Sequence, residues 1–236
     1  MPEMSNKISW CDITINPITG CVKGCSWCYA RDFAKRLAGR HGYPADHPFK
    51  PTFHFDKLAE LTGLKGCGKR VFLDSMGDWF SPGVEREWVW AVIEAVRHLP
   101  NHTFLVLTKW PERMTEVLGE MIGPMPANLW FGVSVTCQKD ACRIDCLRGG
   151  AWSHNFISFE PLLGPIDVDL WGIEWAIIGA ETGNRKGRIA LKRSWLEGIC
   201  DQANSKRIPV FLKQGLCGPQ IDGSYCGREE FPEEML

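Results

Sequence analysis

The sequence has no large excess of charge of either sign. Its 236 residues include 27 Lys and Arg residues against 28 Asp and Glu residues, so the chain as a whole does not attract polyanions over long range. With 44% hydrophobic and 23% charged residues, the composition is typical of a folded protein and not of a disordered one. We therefore expect a globular chain that does not bind nucleic acid indiscriminately.

Long apolar runs are also missing. No window approaches the roughly 18 uninterrupted apolar residues that a membrane-spanning helix requires. The first ten residues, MPEMSNKISW, contain no apolar stretch typical of a signal peptide. The sequence thus predicts a cytoplasmic protein without membrane association. Repeats and Ser/Gly linkers are absent too, which favours one main domain over residues 1–215, with residues 216–236 as a tail that is a candidate to pack against it.

Short apolar runs alternate with stretches of helical spacing. The runs are Arg70–Asp74, Thr103–Thr108, Leu129–Val135, Asn155–Phe159, Glu174–Gly179 and Pro209–Leu212. Because they are nearly continuous, they are typical of parallel strands buried on both faces. Helical spacing is found in the stretches Glu85–His98, Pro111–Met121 and Ser194–Asn204.

With an opening strand around Ile8–Ile15, this alternation predicts an α/β fold: a partial or irregular (β/α) TIM-type barrel of about six to seven parallel strands. An open doubly wound sheet is the alternative. In both architectures the carboxyl ends of the strands meet at one face, where ligands bind. Polar residues follow six strands: Asp74, Ser75 and Asp78; Thr108 and Lys109; Ser134 and Thr136; Glu160; Glu181 and Thr182; Lys213 and Gln214. Simple exposure of strand ends to solvent is the competing explanation.

Cysteine is abundant, with 11 residues in a chain too large to need disulfide staples. Three of these cysteines, Cys21, Cys25 and Cys28, follow the first predicted strand at spacings of x3 and x2. Three thiolates from one short loop suit an iron–sulfur cluster whose fourth iron is open to another molecule. Structural zinc prefers four closed ligands, and Cys11 is a candidate for the fourth.

The loop Cys21-x3-Cys25-x2-Cys28, with Trp27 before its last cysteine, resembles the cluster loop of the radical S-adenosylmethionine (SAM) superfamily. In that superfamily the loop follows the first strand of a partial (β/α) barrel. Five further segments resemble a phage-associated branch generally carried as a domain of unknown function: Asn16–Cys21, Leu107–Arg113, Gly132–Val135, Phe159–Ile166 and Phe211–Gln214. The resemblance covers most of residues 8–215.

The resemblance implies that Cys21, Cys25 and Cys28 hold a [4Fe–4S] cluster whose open iron chelates the amino and carboxylate groups of SAM. Reduction then cleaves SAM into methionine and a 5′-deoxyadenosyl radical, which abstracts hydrogen from the substrate. Trp27 and Tyr29 would frame the adenine side. A reductant such as flavodoxin or ferredoxin is the implied partner.

The segment Ser75–Asp78 occupies the place where the superfamily usually has Gly-Gly-Glu for the SAM ammonium group. Here the sequence departs from the pattern, since only Gly77 and an acidic residue remain. By the resemblance, Ser75, Gly77 and Asp78 are candidates for binding SAM. We expect Asp78 to contact the ammonium, with Asp74 as the second candidate.

Five candidates lie on the later strands. Ser134 and Thr136 would suit the ribose hydroxyls or the methionine carboxylate, and Lys109 would suit that carboxylate or a substrate anion. Glu160 and Lys213 lie where the superfamily tends to place substrate groups, so they join Lys109 as catalytic candidates.

Glu181 lies on the same predicted rim and is a further candidate for the cofactor or the substrate. Each rim residue has a simpler explanation. Glu160 precedes Pro161 and can cap a turn, Glu181 can pair with Arg185 or Arg188, and a strand-end lysine can be solvated.

The remaining cysteines have weaker claims. A second group consists of Cys137, Cys142 and Cys146. These residues are candidate ligands of an auxiliary iron–sulfur cluster, and the alternative interpretation is that they belong to an ordinary amphipathic helix. Cys217 and Cys226 can contribute to that cluster, whereas Cys67 and Cys200 are expected to be structural.

The substrate is the least determined feature. By association, the phage-associated resemblance makes a modified nucleobase in DNA a candidate substrate, with rearrangement or isomerisation as a candidate outcome, and it would place the protein in a host cytoplasm. Trp79 and Phe80 can stack a base, although burial in the core is the alternative. Basic residues that can face phosphates are Arg31, Lys35, Arg36, Arg40, His41, His47, Lys50, His54 and Lys57. A peptide or small-molecule substrate, or a metal-stabilised binding module without catalysis, remains open.

Overall fold

The main sheet of the computed structural model, which describes residues 8–214, 216 and 227–235, contains seven parallel strands. The strands are β1 (Ile13–Thr14), β2 (Ile18–Thr19), β3 (Thr52–Phe53), β4 (Arg70–Phe72), β5 (Thr103–Thr108), β6 (Leu129–Ser134), β7 (His154–Phe159), β8 (Ala176–Ile178) and β9 (Val210–Leu212). The helices are α1 (Tyr29–Arg36), α2 (Phe55–Thr62), α3 (Arg86–Arg97), α4 (Pro111–Gly119), α5 (Arg143–Arg148) and α6 (Arg193–Ser205). None of these helices has both the length and the apolar character needed to cross a membrane.

The strand order of the sheet is β1-β4-β5-β6-β7-β8-β9. It follows the chain without the reversal that defines a doubly wound sheet, and the sheet curls into a half-barrel. The predicted partial barrel is therefore confirmed, and the doubly wound alternative is wrong. The short strands β2 and β3 pair with each other in a separate antiparallel sheet, which the sequence did not predict.

Side chains of each strand alternate between two apolar clusters. On β5, Phe104 and Val106 pack with the helices on the outer face, whereas Leu105 and Leu107 belong to a second cluster on the concave face. This period of two follows from the pleat of a strand. It also determines which residues beyond the strand ends point toward the concave face.

Aromatic rings fill the concave face, which we call the lumen. Its large buried members are Trp10, Phe72, Trp130, Phe156, Trp175 and Phe211. The tail residue Phe231 packs on this cluster, with its ring centroid 5.5 Å from that of Trp175 and 5.2 Å from that of Phe211. The guanidinium of Arg70 lies 4.0 Å from the centroid of the Phe231 ring. Residues 227–235 therefore contact the barrel at the amino-terminal ends of its strands.

The predicted opening strand, Ile8–Ile15, is reduced to Ile13–Thr14 in the structure. Trp10 packs in the lumen, where its ring centroid lies 4.6 Å from that of Phe72, so burial of this ring explains the apolar character of the segment. Helices α1 and α2 were not predicted, because their short amphipathic patterns lie beside Gly- and Pro-containing loops.

Gly132→Ala is expected to lower the free energy of unfolding by about 1–3 kcal/mol, the usual cost of overpacking a core. An ideal Cβ at this position would lie 2.5 Å from the Phe156 ring, and that ring is fully buried in the lumen. Urea denaturation measures the change. Gly119→Ala is the matched control, because a Cβ there meets nothing within 4 Å. Equal stability of both variants would contradict the close packing of Gly132 against Phe156.

Candidate active site

A cavity opens at the carboxyl ends of the strands, and it collects nearly all of the predicted site residues. Those lining it are Cys21, Cys25, Trp27, Cys28, Tyr29, Asp74, Ser75, Gly77, Asp78, Lys109, Ser134, Glu160, Glu181 and Lys213. The strand period explains this convergence. Asp74 lies two residues after the lumen residue Phe72, and Lys109 lies two after Leu107.

Thr136 is the predicted site residue that does not line the cavity. Its hydroxyl donates to Asp140 Oδ2 over 2.7 Å, and its backbone N–H donates to the same oxygen over 3.0 Å. The residue follows the end of β6, where the chain enters the turn Gln138–Asp140. The expectation that Thr136 contacts the cofactor is therefore not matched by its position.

The cysteine loop is tied to the segment that follows β4. The Gly20 N–H donates to the Met76 carbonyl over 3.0 Å, and the Asp78 N–H donates to the Gly20 carbonyl over 3.2 Å. A Cβ on Gly77 would lie 3.0 Å from backbone atoms of Gly20. Gly77 is thus required for the close approach of two backbones, a role that the sequence pattern alone does not distinguish from contact with a ligand.

Hydrogen bonds shape the loop around its three thiols. The Lys23 N–H donates to Cys21 Sγ over 3.4 Å, and the Cys28 N–H donates to the Cys25 carbonyl over 3.3 Å. The Arg31 guanidinium donates to the same carbonyl over 3.3 Å. Burial of Cys21, followed by the nearby charge of Asp78, raises the pKa of the Cys21 thiol.

The three thiols line one cavity and are free of disulfides. In the part of the chain that the structure describes, no group of three or more His, Cys, Asp or Glu side chains could hold a metal ion. A single ion draws all its ligands to one point, whereas a [4Fe–4S] cluster binds each thiolate through a different iron atom. Three cysteines on one loop that lines a cavity can each ligate one of the four irons of such a cluster.

Two buried carboxylates lie beside the loop. Asp78 Oδ1 accepts hydrogen bonds from the Thr108 hydroxyl over 2.7 Å, and Asp78 Oδ2 accepts one from the Lys109 N–H over 2.9 Å. Asp74 accepts the Leu107 N–H with both oxygens, over 3.1 and 3.2 Å. Burial raises the pKa of both carboxyls, and the charge of Asp78 raises that of Asp74 further.

Asp74→Asn is expected to stabilise the protein above the acid range. Because the pKa of Asp74 is raised on folding, the native state holds a proton that the unfolded chain releases near pH 3.8. Stability is therefore lost as the pH rises from this value through the folded pKa. Melting temperatures measured against pH should converge for wild type and variant at low pH and diverge as the pH rises. A constant difference between the two curves would argue against this titration.

The other end of the cavity contains an ion pair that crosses the end of β8. The Lys213 ammonium donates to Glu160 Oε1. A Cβ on Gly179, which lies between these two residues in the sheet, would be 2.8 Å from Glu160 Cγ and 3.1 Å from Lys213 Cδ. Glu160 and Lys213 therefore form an ion pair with each other. This pair replaces the simpler explanation that Lys213 is a solvated lysine at the end of a strand.

Three other predicted residues form side-chain contacts of their own. The Arg185 guanidinium donates to both oxygens of Glu181, over 2.6 and 2.9 Å, and thereby lowers the pKa of that carboxyl. The Lys109 ammonium donates to Ser134 Oγ over 3.1 Å. Glu181 thus forms the pair expected of a structural residue although it lines the cavity, whereas Lys109 and Ser134 form a polar contact directed into it.

The aromatic candidates lie near the cysteine loop. The Tyr29 hydroxyl donates to the Ser75 carbonyl over 2.6 Å, while the residue as a whole remains 58% exposed. Trp27 lines the same cavity, as does Phe49.

The cavity residues that the sequence analysis did not predict include Trp10, Phe49 and Ser158. Ser158 Oγ and Trp10 Nε1 are buried and have no hydrogen-bond partner among the described residues. An unpaired buried polar atom costs about 1–3 kcal/mol, which favours a polar ligand beside it. The period of two from Phe156 was the signal that could have identified Ser158.

Several predictions outside the cavity need correction. Trp79 and Phe80 are buried in the outer core, so neither is available to stack a base. His54 is buried and lies 2.7 Å from the Thr19 hydroxyl, and Lys57 pairs with Glu60. His54 therefore does not face phosphates, whereas Lys57 forms its ion pair at the surface, with 44% of its side chain exposed.

The additional cysteines do not join the first three. Cys137, Cys142 and Cys146 are not among the residues that line the cavity, and Cys11 is buried in the lumen. Cys200 is buried as expected, whereas Cys67 is exposed. Cys217 and Cys226 lie outside the described residues.

The fold and the cavity define a partial (β/α) barrel with a cysteine-lined site at the carboxyl ends of its strands. The chain belongs to a family described as a protein of unknown function (DUF5131), whose model matches residues 5–222. It is similar in structure to a mutant of spore photoproduct lyase, with a TM-score of 0.55 and 12% sequence identity, over 89% of this chain and 78% of that chain. At this identity the likeness shows the fold alone. None of the curated proteins compared with the chain matches it.

Proposed function

We propose that the protein is a radical SAM enzyme. The observation that carries the proposal is the position of Cys21, Cys25 and Cys28, which line the same cavity as the polar residues beyond the strand ends. The shared fold supports it, since spore photoproduct lyase is itself a radical SAM enzyme. A [4Fe–4S] cluster held by these cysteines supplies, when bound and reduced, the electron that cleaves SAM to methionine and a 5′-deoxyadenosyl radical.

The chain's own residues bind and orient the cofactor. Asp78 accepts a hydrogen bond from the SAM ammonium. Its carboxylate is oriented by hydrogen bonds from the Thr108 hydroxyl and the Lys109 N–H. The Lys109 ammonium binds the SAM carboxylate beside Ser134, and Trp27 covers the adenine. The aromatic lumen excludes water from the far side of the reacting atoms.

Substrate groups are assigned to the other end of the cavity. Glu160 and Lys213 orient the substrate from there, and the unpaired Ser158 hydroxyl lies in the same wall. Ser158 and Glu160 lie two and four residues after the lumen residue Phe156, and Lys213 lies two residues after the lumen residue Phe211. Their side chains therefore point toward the same cavity as the cysteine loop.

We further propose a modified nucleobase in DNA as the substrate, with rearrangement as the outcome. The phage-associated resemblance supports this class. Residues 22–50 contain six Lys and Arg residues against two acidic residues, in a chain whose net charge is -1. Arg36, Arg40 and Lys50 are exposed in this segment, where they can contact phosphates.

A small acidic electron-transfer protein such as flavodoxin or ferredoxin is the proposed reductant. Val22 and Phe33 are exposed at and near the cysteine loop, at 55% and 48%. Exposed apolar side chains beside basic residues are suited to a transient protein contact.

Anaerobic reconstitution with iron and sulfide, followed by reduction in the presence of SAM, tests the proposal. We expect brown protein that forms 5′-deoxyadenosine and methionine in equal amounts. Protein with one tightly bound zinc ion and no SAM cleavage would instead indicate a binding module. Retention of oligonucleotide at physiological salt tests the DNA substrate separately.

A further inference from the structure

The ion pair between Glu160 and Lys213 is held in place by the backbone beneath it. Both side chains lie across Gly179, which follows β8, and a Cβ there would be 2.8 Å from Glu160 Cγ and 3.1 Å from Lys213 Cδ. This close approach is possible only because the glycine has no side chain. The pair is still accessible from the cavity, since 25% of the Glu160 side chain and 22% of the Lys213 side chain are exposed.

The pair has hydrogen-bonding capacity to spare. A lysine ammonium has three N–H donors, and a carboxylate has two acceptor oxygens. The bond between the two groups uses one donor of Lys213 and the Oε1 atom of Glu160. Neither charged group has another hydrogen-bond partner within the described part of the chain. Because both residues line the cavity, the pair presents a donor beside an acceptor to a ligand.

A donor beside an acceptor binds the complementary edge of a ligand, in which an N–H lies beside a C=O. A peptide backbone does not present this edge, because a trans peptide bond points its N–H and its C=O in opposite directions. An amide inside a small ring is held in the cis form and presents both groups on one side. An anion such as phosphate is disfavoured, since the pair has no net charge and Glu160 repels it.

We propose that Glu160 and Lys213 bind the ring amide of a nucleobase, with Glu160 accepting the ring N–H and Lys213 donating to the adjacent carbonyl oxygen. This inference rests on the proposed function, and it names the edge of the base that the site recognises. Phe49 and Trp10 line the same cavity, and aromatic side chains are suited to contact with the face of a flat ring.

Ser158 independently indicates a polar ligand at this end of the cavity. It precedes Glu160 by two residues, so the two side chains lie on the same face of the chain. Its hydroxyl is buried and has no hydrogen-bond partner among the described residues, although buried polar groups in folded proteins are almost always paired. A ring imide has a second carbonyl group, for which this hydroxyl is a free donor.

Fluorescence anisotropy of the reconstituted protein with SAM, measured before reduction, tests the recognition of this edge. The probes are a short labelled oligothymidylate and the same oligonucleotide with every thymine methylated at N3. The methyl group replaces the N–H that Glu160 accepts and leaves the phosphates unchanged. We expect the methylated probe to bind roughly 10- to 100-fold more weakly, which is the effect of losing a hydrogen bond to a charged group.

A double variant, Glu160→Met with Lys213→Met, removes the pair without leaving either charge unpaired. It should bind the two probes with equal affinity. The matched control is Asp169→Met with Lys206→Met, which removes an ion pair of 3.0 Å whose residues do not line the cavity. This control should discriminate between the probes as the wild type does.

Equal affinity of the wild-type protein for both probes, or binding of neither, would overturn the inference. Discrimination that persists in the Glu160 and Lys213 double variant would overturn it as well. The comparison of probes on the wild-type protein remains decisive if the double variant does not fold. Because binding is measured before reduction, a wild-type protein that discriminates between the probes but does not cleave SAM would overturn the proposed function alone.

Discussion

Replacing any one of Cys21, Cys25 and Cys28 with Ala should reduce 5′-deoxyadenosine formation to the background of cluster-free protein. The three thiols line one cavity, and each is the expected ligand of one iron atom, so two remaining ligands do not hold the cluster with its open iron in place. Chromatographic measurement of 5′-deoxyadenosine after reduction, together with iron and sulfide content, gives the result.

Cys67→Ala is the matched control, because Cys67 is an exposed cysteine outside the cavity. It should keep wild-type iron content and SAM cleavage. If a variant of the loop retained both properties while the control lost them, the assignment of the cluster to this loop would be wrong.

Asp78→Asn should weaken SAM binding by roughly 10- to 100-fold. A hydrogen bond to a charged group contributes about 1.5–3 kcal/mol, and each 1.4 kcal/mol corresponds to about a tenfold change in affinity. The amide also places a donor where Asp78 now accepts the Thr108 hydroxyl or the Lys109 N–H. Equilibrium dialysis of SAM against cluster-loaded protein measures the dissociation constant.

Asp46→Asn serves as the control for removal of one negative charge, because Asp46 is exposed in the loop after α1. Its SAM affinity should match that of wild type. An unchanged affinity in Asp78→Asn would instead assign the ammonium to another carboxylate, with Asp74 as the next to test.

The partial barrel was predictable because its strands are nearly continuous apolar runs of familiar length. The parallel strands follow from that pattern, whereas the strand order that separates a partial barrel from a doubly wound sheet was established only by the structure. The sequence did not predict β2 and β3, since each has two residues and depends on pairing with the other. The position of Trp10 in the lumen was not predictable either. An apolar residue before a strand can pack in the outer core or in the lumen, and the sequence does not distinguish the two.

Most of the candidate site followed from position relative to the strand ends. The side-chain partners of the site residues could not be predicted in this way. The Glu160–Lys213 pair depends on Gly179 leaving space between them, and Thr136 turns toward Asp140 because of the local turn. Trp79 was wrongly predicted to be available for stacking on a base. Its indole N–H donates to the Leu73 carbonyl inside the core, and the sequence does not distinguish such a buried tryptophan from one that stacks on a base.

The electron paramagnetic resonance (EPR) spectrum of the reduced, reconstituted protein with and without SAM tests the central claim most directly. If Cys21, Cys25 and Cys28 hold a cluster with one iron open to the cavity, SAM binding must change the environment of that iron. We predict a paramagnetic [4Fe–4S] signal whose shape changes on addition of SAM and changes less at the same SAM concentration in Asp78→Asn. A cluster signal that SAM leaves unaltered, or the absence of any cluster signal, would contradict this account.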